Sequence, residues 1–523
     1  MKALWIKIVL LAVALPGVWG NVAAQVTISA DFDTGSIGSV RRIDSVRMLH
    51  AAKNSLEVMS FGIRSRIDPL NPVDTALLPS SRWFHFRLEG VKGKLMFLRI
   101  PNTEMVRPFY SYDGEEYLRF DAGECSLPQT VYKYFLHDTV YVAYFLPYSH
   151  ARHKAKADEW ACSPFVRRQR IGRSGEGRPI EMLILTDVPD SLKRRVWIHS
   201  RVHTSEAPAA WYLEAMIDEL LSDAPLSREI LRRTVFYVVP ETNPDGVRGG
   251  YSRSTAQGVN LEINWDRPDS LTQPEVRVLK RTIDSLSTER PFDVALNLHS
   301  QSAPFVTYWI HTAKSTSAKM YRRKMLLSAL TVAHTPYYRP IDQRFSEAAP
   351  RYAEGWFWQR FGERTLAVTF ETPYTYYNND PAGEWVSRES LAELAHASLL
   401  ALSDLLDLGG SERRQADSER MKGRGKWLRR TAKDRQFFGG SYLVAERKGA
   451  SVSFVFPDVA EGRYEVFKWI PGPLDKKFAR EENRWQPIGE VVQEQAGRLV
   501  WRYQAAAPGD VLDVILLVPK SER

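Results

Sequence analysis

RVWIHSRVHTSEAPAAWYLEAMIDELL, residues 195–221, changes character twice within one short stretch. Its opening residues, RVWIHS, form an apolar run of the length and composition of a buried strand. From Glu206 onward the apolar residues recur at helical spacing and describe an amphipathic helix. Between the two lie His203 and Glu206, three residues apart. At the end of a strand such a pair serves either as two ligands to one metal ion or as two polar residues of a turn. In the second case Glu206 merely complements the helix dipole. The choice rests on whether a third ligand and a general base lie elsewhere in suitable places.

The same strand–helix alternation recurs on either side. TVFYVVP (234–240), DVALNLHS (293–300) and TLAVTFET (365–372) read as central strands, and QPEVRVLKRTIDSLS (273–287) reads as an amphipathic helix. Residues 156–408 are therefore expected to form a doubly wound α/β sheet. Ahead of them, VTISADF, WFHFRLEG, LMFLRI and TVYVAYFLPYS alternate between turn-rich breaks, which predicts an antiparallel β domain over 25–155. Behind them, ASVSFVFP, GRYEVFKWI and DVLDVILLV predict a small β-sandwich over 437–523. Its Tyr464, Trp469, Trp485 and Trp501 are candidates for a carbohydrate-stacking face, against the plainer expectation that they pack a core.

In an open α/β sheet, ligands gather beyond the carboxyl ends of the strands. RVWIHSRVH ends at His203 with Glu206 just after it, DVALNLHS ends at His299, and TLAVTFET ends at Glu371. Separate strands thus deliver two histidines and two glutamates to one edge. Two His and one Glu, with a position left for water, is a hydrolytic zinc set. Glu371 is then left over as a general base. Taken singly each residue has a duller reading: His299 as an edge histidine, Glu371 as a salt-bridge partner. Their joint placement at strand termini favours the site. His199 and His203 are four apart on a strand and poorly set for one metal. His150 and His153 sit in polar SHARHKA with no supporting strand or acid.

These stretches resemble the zinc carboxypeptidases of the funnelin clan (peptidase M14), and within them the cytosolic-carboxypeptidase-like branch. The matching segments are RIGRSGEGRPIEMLILTD, RVHTSE, VVPETNPDGV, GVNLEINW, LNLHS and VTFET, with ADFDTGSIGSV, WFHFRLEG and VYVAYFLPYS in the preceding β domain. The resemblance covers roughly residues 28–400, and it is the order of the motifs that makes it specific. It implies one zinc ion held by His203, Glu206 and His299, with Glu371 as base. It also implies that Arg253, in RSTAQGVNLEINW, polarises the scissile carbonyl and stabilises the oxyanion. One departure matters. Where the family carries an Asn–Arg pair that grips the substrate's terminal carboxylate, this chain has Glu262 and Ile263, and an isoleucine forms no bidentate salt bridge. Arg267 and Arg248 are candidate substitutes, and Tyr352 is a candidate for the family's substrate-capping tyrosine.

Composition narrows the remaining classes. At 523 residues, 44% hydrophobic and 25% charged, the chain has the makeup of a multi-domain globular protein. The formal charge of +9 gathers largely in SERRQADSERMKGRGKWLRRTAKDRQ (411–436), expected as a basic linker over 409–436. No zinc-finger spacing or single-strand-binding aromatic pattern points to nucleic acid. Residues 1–24 carry Lys2 and Lys7, an apolar core and small residues, the pattern of a secretory signal cut after Ala24. The expected location is periplasmic or secreted, with no membrane span after cleavage. Cys125 and Cys162 are then in an oxidising compartment, either as one disulfide or as two thiols.

The function expected is an exported zinc hydrolase of peptide bonds, acting on peptide or cell-wall-peptide substrates. Two alternatives follow from the departure at Glu262 and Ile263 and from the flanking domains. One is a zinc amidase, deacylase or endopeptidase that needs no free C-terminus. The other is a non-catalytic extracellular binding protein on a peptidase scaffold.

Overall fold

Short apolar runs that must be buried on both faces assemble here into one eight-stranded mixed sheet. The computed structural model describes residues 25–49, 55–126, 129–188, 192–263, 265–408, 414–417, 427–430, 441–472 and 484–520. The expected signal segment, 1–24, lies outside the described residues. The strands of the large sheet are β1 (Val166–Arg173), β2 (Pro179–Leu185), β3 (Arg194–Ser200) and β4 (Thr234–Val239). They are followed by β5 (Val294–Gln301), β6 (Thr307–His311), β7 (Arg344–Ser346) and β8 (Leu366–Pro373). Their order is β1-β2-β4-β3-β5-β8-β6-β7, and the central four, β4-β3-β5-β8, run parallel.

Helices cover both faces of this sheet. They are α1 (His150–Trp160), α2 (Ala207–Leu220), α3 (Pro225–Arg233), α4 (Pro244–Arg248), α5 (Pro274–Leu286), α6 (Ala318–His334), α7 (Ala353–Phe361) and α8 (Arg388–Leu406). The period-two alternation of a strand divides the core. Val196, Ile198, Leu296, Leu298, Val368 and Phe370 pack towards α2, α6 and α8. Trp197, Ala295 and Ala367 pack towards α5 and α7.

The amino-terminal domain is two five-stranded sheets. One runs Thr27–Ser29, His85–Glu89, Val140–Ala143, Phe109–Ser111, Tyr117–Arg119. The other runs Ser39–Leu49, Ser55–Arg64, Lys94–Arg99, Thr130–Tyr134, Cys125–Ser126. The antiparallel expectation needs one correction, because Ser55–Arg64 and Lys94–Arg99 pair in parallel. Between them the chain crosses to the other sheet for His85–Glu89, and so returns in its original direction.

Two expectations for the carboxyl-terminal part also change. Within the basic stretch 409–436, Arg414–Asp417 pairs with Val514–Leu517 and Trp427–Arg430 pairs with Tyr442–Ala445, so the described parts of the expected linker are strands. Both lie at sheet edges, and Leu428, Arg429 and Arg430 of the second are exposed there. The proposed carbohydrate face is not exposed. Tyr464, Trp469 and Trp485 are 3%, 0% and 2% accessible, and Trp501 is half-buried against the same domain's core. Trp469 lies 5.5 Å from Trp485 and 6.5 Å from Tyr321 on α6, ring centre to ring centre. Trp469 and Trp485 are occupied in docking the carboxyl-terminal domain onto the central one, and Tyr464 and Trp501 pack that domain's own core. Cys125 and Cys162 are unpaired, the first half-buried and the second exposed. Among the described residues, no helix is long and apolar enough to cross a membrane.

Removing the buried indole should leave a void at this junction. Trp469→Ala is expected to lower the unfolding free energy by about 3–5 kcal/mol in denaturant titration, whereas Val500→Ala, at 52% exposure, should change it by less than about 0.5 kcal/mol.

Candidate active site and metal centre

Immediately after β3 the backbone turns sharply through Arg201, a non-glycine residue at φ 57°. The left-handed conformation costs an L-residue about 1–2 kcal/mol. The buried guanidinium holds it in place, donating 3.2 Å to the Tyr148 carbonyl and 2.7 Å to the Thr204 carbonyl. The turn places His203 over the carboxyl edge of the sheet and leaves Glu206 at the N-cap of α2. Glu206 does not cap that helix with its side chain. The carboxylate goes elsewhere: Oε1 lies 2.9 Å from His203 Nδ1, and Oε2 lies 2.8 Å from His299 Nδ1. The two Nδ1 atoms are 3.1 Å apart. The Ser300 amide donates to Glu206 Oε2 at 3.1 Å and fixes it from β5.

Register brings in the fourth residue. His299 on β5 is the lateral neighbour of Glu371 on β8. Side chains of paired residues in adjacent strands share a face, so both project on the face of Ala295 and Ala367. The Trp309 indole on β6 donates to Glu371 Oε1 at 3.1 Å. Burial, with the nearby carboxylates of Glu206 and Glu262, pushes the Glu371 carboxyl above its ordinary range.

Arg253 lies on the long loop after β4. Its guanidinium reaches Glu206 Oε1 at 3.1 Å and Glu262 Oε2 at 3.3 Å, and comes within 3.0 Å of His203 Nε2. Glu262, the departure from the carboxylate clamp, turns to a ligand instead: its Oε2 lies 3.2 Å from His203 Nε2. Asn260 Oδ1 is 3.1 Å from the same nitrogen. Acceptors on the Nε2 edge hold a metal-ligating histidine in the tautomer that leaves Nδ1 free. This support was not read from the sequence; the spacing of Asn260 and Glu262 in GVNLEINW places them at the site but does not say which ring they face. Against the cost of burial, His203, His299 and Arg253 hold the Glu262 carboxyl down at about 2.

Two carboxylates compete for the place of third ligand. His203, His299 and Glu262 offer atoms that all lie within 4.8 Å of one another. Glu206 is the better choice, because it meets both Nδ1 atoms at once, whereas Glu262 meets the opposite edge of His203. The donor set fits zinc: two imidazoles and a carboxylate converging at about 3 Å. The charges agree. Arg253 is shared between Glu206 and Glu262, and against the desolvation that opposes it Glu206, Glu262 and Glu371 hold the His299 imidazole up at about 9. A divalent cation meets the same demand.

Tyr352, the N-cap residue of α7, lines a cavity of about 170 Å³ together with Arg253, Asn260, Glu262 and Ile263. The suggested substitutes for the clamp are elsewhere. Arg267 donates 2.9 Å to the Val73 carbonyl, and Arg248 faces Asp33 at 3.9 Å. The excluded pairs stay excluded, with one amendment. His199 is buried, with its Nδ1 accepting from the Trp197 indole at 3.0 Å. His150 and His153 lie on α1, and they do have an acid: Glu241, whose Oε2 is 2.6 Å from His150 Nδ1. It comes from just beyond the end of β4, remote in sequence from SHARHKA, so local inspection missed it.

The VVPETNPDGV stretch supports the site without joining it. Asn243 Nδ2 donates to the Val202 and Ser254 carbonyls at 3.4 and 3.2 Å, tying the ligand turn to the Arg253 loop. A Cβ on Gly246 would meet Thr204 Cγ2 at 2.4 Å, so only glycine lets these segments approach.

Comparison with known proteins agrees with this geometry. Residues 155–376 match the zinc carboxypeptidase model of peptidase M14. An uncharacterized protein of Zymomonas mobilis is 24% identical over 344 residues, covering 62% of this chain and 88% of the relative. Mouse cytosolic carboxypeptidase 6 is 24% identical over 310 residues, covering 53% of this chain but only 54% of the relative. The crystal structure of a metallo-carboxypeptidase from Burkholderia cenocepacia superposes with a TM-score of 0.60 at 25% identity, covering 73% of this chain and 99% of that one. Residues 155–376 thus carry a zinc carboxypeptidase domain of the peptidase M14 type, with cytosolic carboxypeptidases among its relatives and a bacterial metallo-carboxypeptidase as a structural neighbour, which supports a metallopeptidase.

Proposed function

We propose that the protein is an exported hydrolase of peptide amide bonds in which Glu371 is the general base and Arg253 the oxyanion-stabilising cation. The observation that carries this reading is the convergence of His203 Nδ1, His299 Nδ1 and Glu206 within about 3 Å, beside Glu371 in register with His299. Zinc bound there supplies an electrophile for the substrate carbonyl and makes water a nucleophile near neutral pH. The chain's own residues do the rest. Glu371, with its proton affinity raised by burial and like charges, takes a proton from the attacking water and returns it to the leaving amine. The Trp309 indole orients its carboxylate. Arg253 faces the centre from the Glu262 side and meets the negative charge that develops on the carbonyl oxygen.

Glutamine at position 371 keeps the shape and removes the base. Glu371→Gln is expected to lower kcat by about 10²–10⁴-fold while metal analysis still finds one zinc per chain, and chelation should silence the parent protein reversibly. Full activity in the variant would remove Glu371 from the mechanism.

A second reading, cleavage without need of a free C-terminus, is favoured by one feature. The cavity beside Arg253 carries Glu262 and Ile263, and among its described lining residues Arg253 is the only cation. That guanidinium is already shared between two carboxylates. A substrate carboxylate entering here meets Glu262 and no partner of its own. Such a site suits an amide, an amine or a continuing chain on the leaving side. Glu262→Asn with Ile263→Arg should shift the ratio of kcat/KM for free against amidated C-termini by at least about tenfold towards the free acid. An unchanged ratio would show that these positions do not set the preference.

Export is supported by residues 1–24 alone. Amino-terminal sequencing of the secreted protein is expected to begin at Gln25, and retention of the full segment would count against it.

A further inference from the structure

The loop that carries Arg253 is held from outside its own domain. Asp68, which follows the strand Ser55–Arg64 of the amino-terminal domain, is 4% accessible and turns its carboxylate onto three consecutive amides of that loop. Oδ1 accepts from Ser252 N at 2.8 Å, and Oδ2 accepts from Arg253 N at 2.7 Å and from Ser254 N at 3.2 Å. Hydrogen bonds from backbone amides to an ionised carboxylate are short and about twice as strong as neutral ones. Three of them on successive residues fix the peptide planes on either side of Arg253, and so the direction in which its side chain leaves.

Neighbouring contacts carry the same load. The Trp83 amide donates to Ser252 Oγ at 2.9 Å, and the Arg66 guanidinium donates to the Gly249 carbonyl at 2.5 Å while lying 4.2 Å over the Tyr251 ring. Asp68 itself is anchored by its amide to the Ser80 carbonyl at 2.8 Å. Asp68, Pro69, Asn71, Leu78 and Ser80 line the same cavity as Arg253, Glu262 and Tyr352.

We infer that the amino-terminal β domain completes the active site, with Asp68 as the positioning residue for Arg253. This rests on the reading of Arg253 given above. Arg253 has no rigid element of its own: it lies between α4 and the short turn Leu261–Ile263. A loop cation that must meet charge developing on one oxygen loses most of its effect when displaced by about 1 Å. The carboxylate of Asp68 fixes the loop backbone through three amides, and it does so from outside the cation's own side chain.

The test is a double-mutant cycle in the full-length, zinc-loaded protein, using an amide substrate that the parent hydrolyses. Asp68→Asn keeps the side chain's size but replaces one acceptor oxygen with a donor that faces the loop amides. It is expected to lower kcat by about tenfold or more, with KM changed by less than about twofold and one zinc still bound, as befits a contact realised in the transition state. Asp68→Glu, which restores two acceptor oxygens, should recover part of the loss. In an Arg253→Ala background, Asp68→Asn should cost less than about twofold further, because the residue it positions is gone. An equal loss in both backgrounds, or no loss in the parent, would overturn the inference. If Asp68→Asn does not accumulate as folded protein, Asp68→Glu alone is put through the same cycle, and additivity there overturns the inference too. Arg253→Ala with undiminished activity would instead overturn the role proposed for Arg253.

Discussion

A carboxylate buried between two imidazoles governs the arrangement of this protein. Glu206 is 1% accessible and meets His203 and His299 at once, with the Arg253 guanidinium as its charged partner, so its burial depends on all three staying where they are. A buried charge that loses its partners costs several kcal/mol. The turn at Arg201, the start of α2 and the end of β5 are thereby fixed relative to one another. The Ser300 amide, on the residue after His299, closes the same arrangement from the backbone.

From that constraint the rest of the centre follows outward. His299 is placed by β5, and because β8 runs parallel beside it Glu371 stands next to it on the same face. Trp309, from the antiparallel neighbour β6, orients Glu371. On the opposite edge of His203, Asn260 and Glu262 occupy the second ring nitrogen. Glu262 thus has two consequences: it supports His203, and it puts negative charge in the cavity beside Arg253.

The flanking domains are more than appendages to this centre. The amino-terminal domain lines the cavity beside Arg253 and grips the loop that carries it. The carboxyl-terminal domain buries Trp469 and Trp485 against α6, on the face of the sheet away from α5 and α7. Aromatic residues in a β domain were equally compatible with a binding face and with a core, since both need large flat apolar side chains. Their burial, which depends on a helix more than a hundred residues away, decides the matter.

The sequence by itself determined the central sheet and the residues at its carboxyl edge. Strand periodicity is local, and a residue's position at a strand end follows from it, so His203, Glu206, His299 and Glu371 could be placed without coordinates. The tertiary structure alone decided what those residues face. Asp68 meets Arg253 across 185 positions and Glu241 meets His150 across 91. Glu262 turns to an imidazole 59 positions earlier in the chain, and no periodicity encodes it. The parallel pair in the amino-terminal domain and the strands inside the basic stretch belong to the same class. Pairing across sheets depends on where the chain returns, and that is settled by packing between segments with no neighbourhood in sequence.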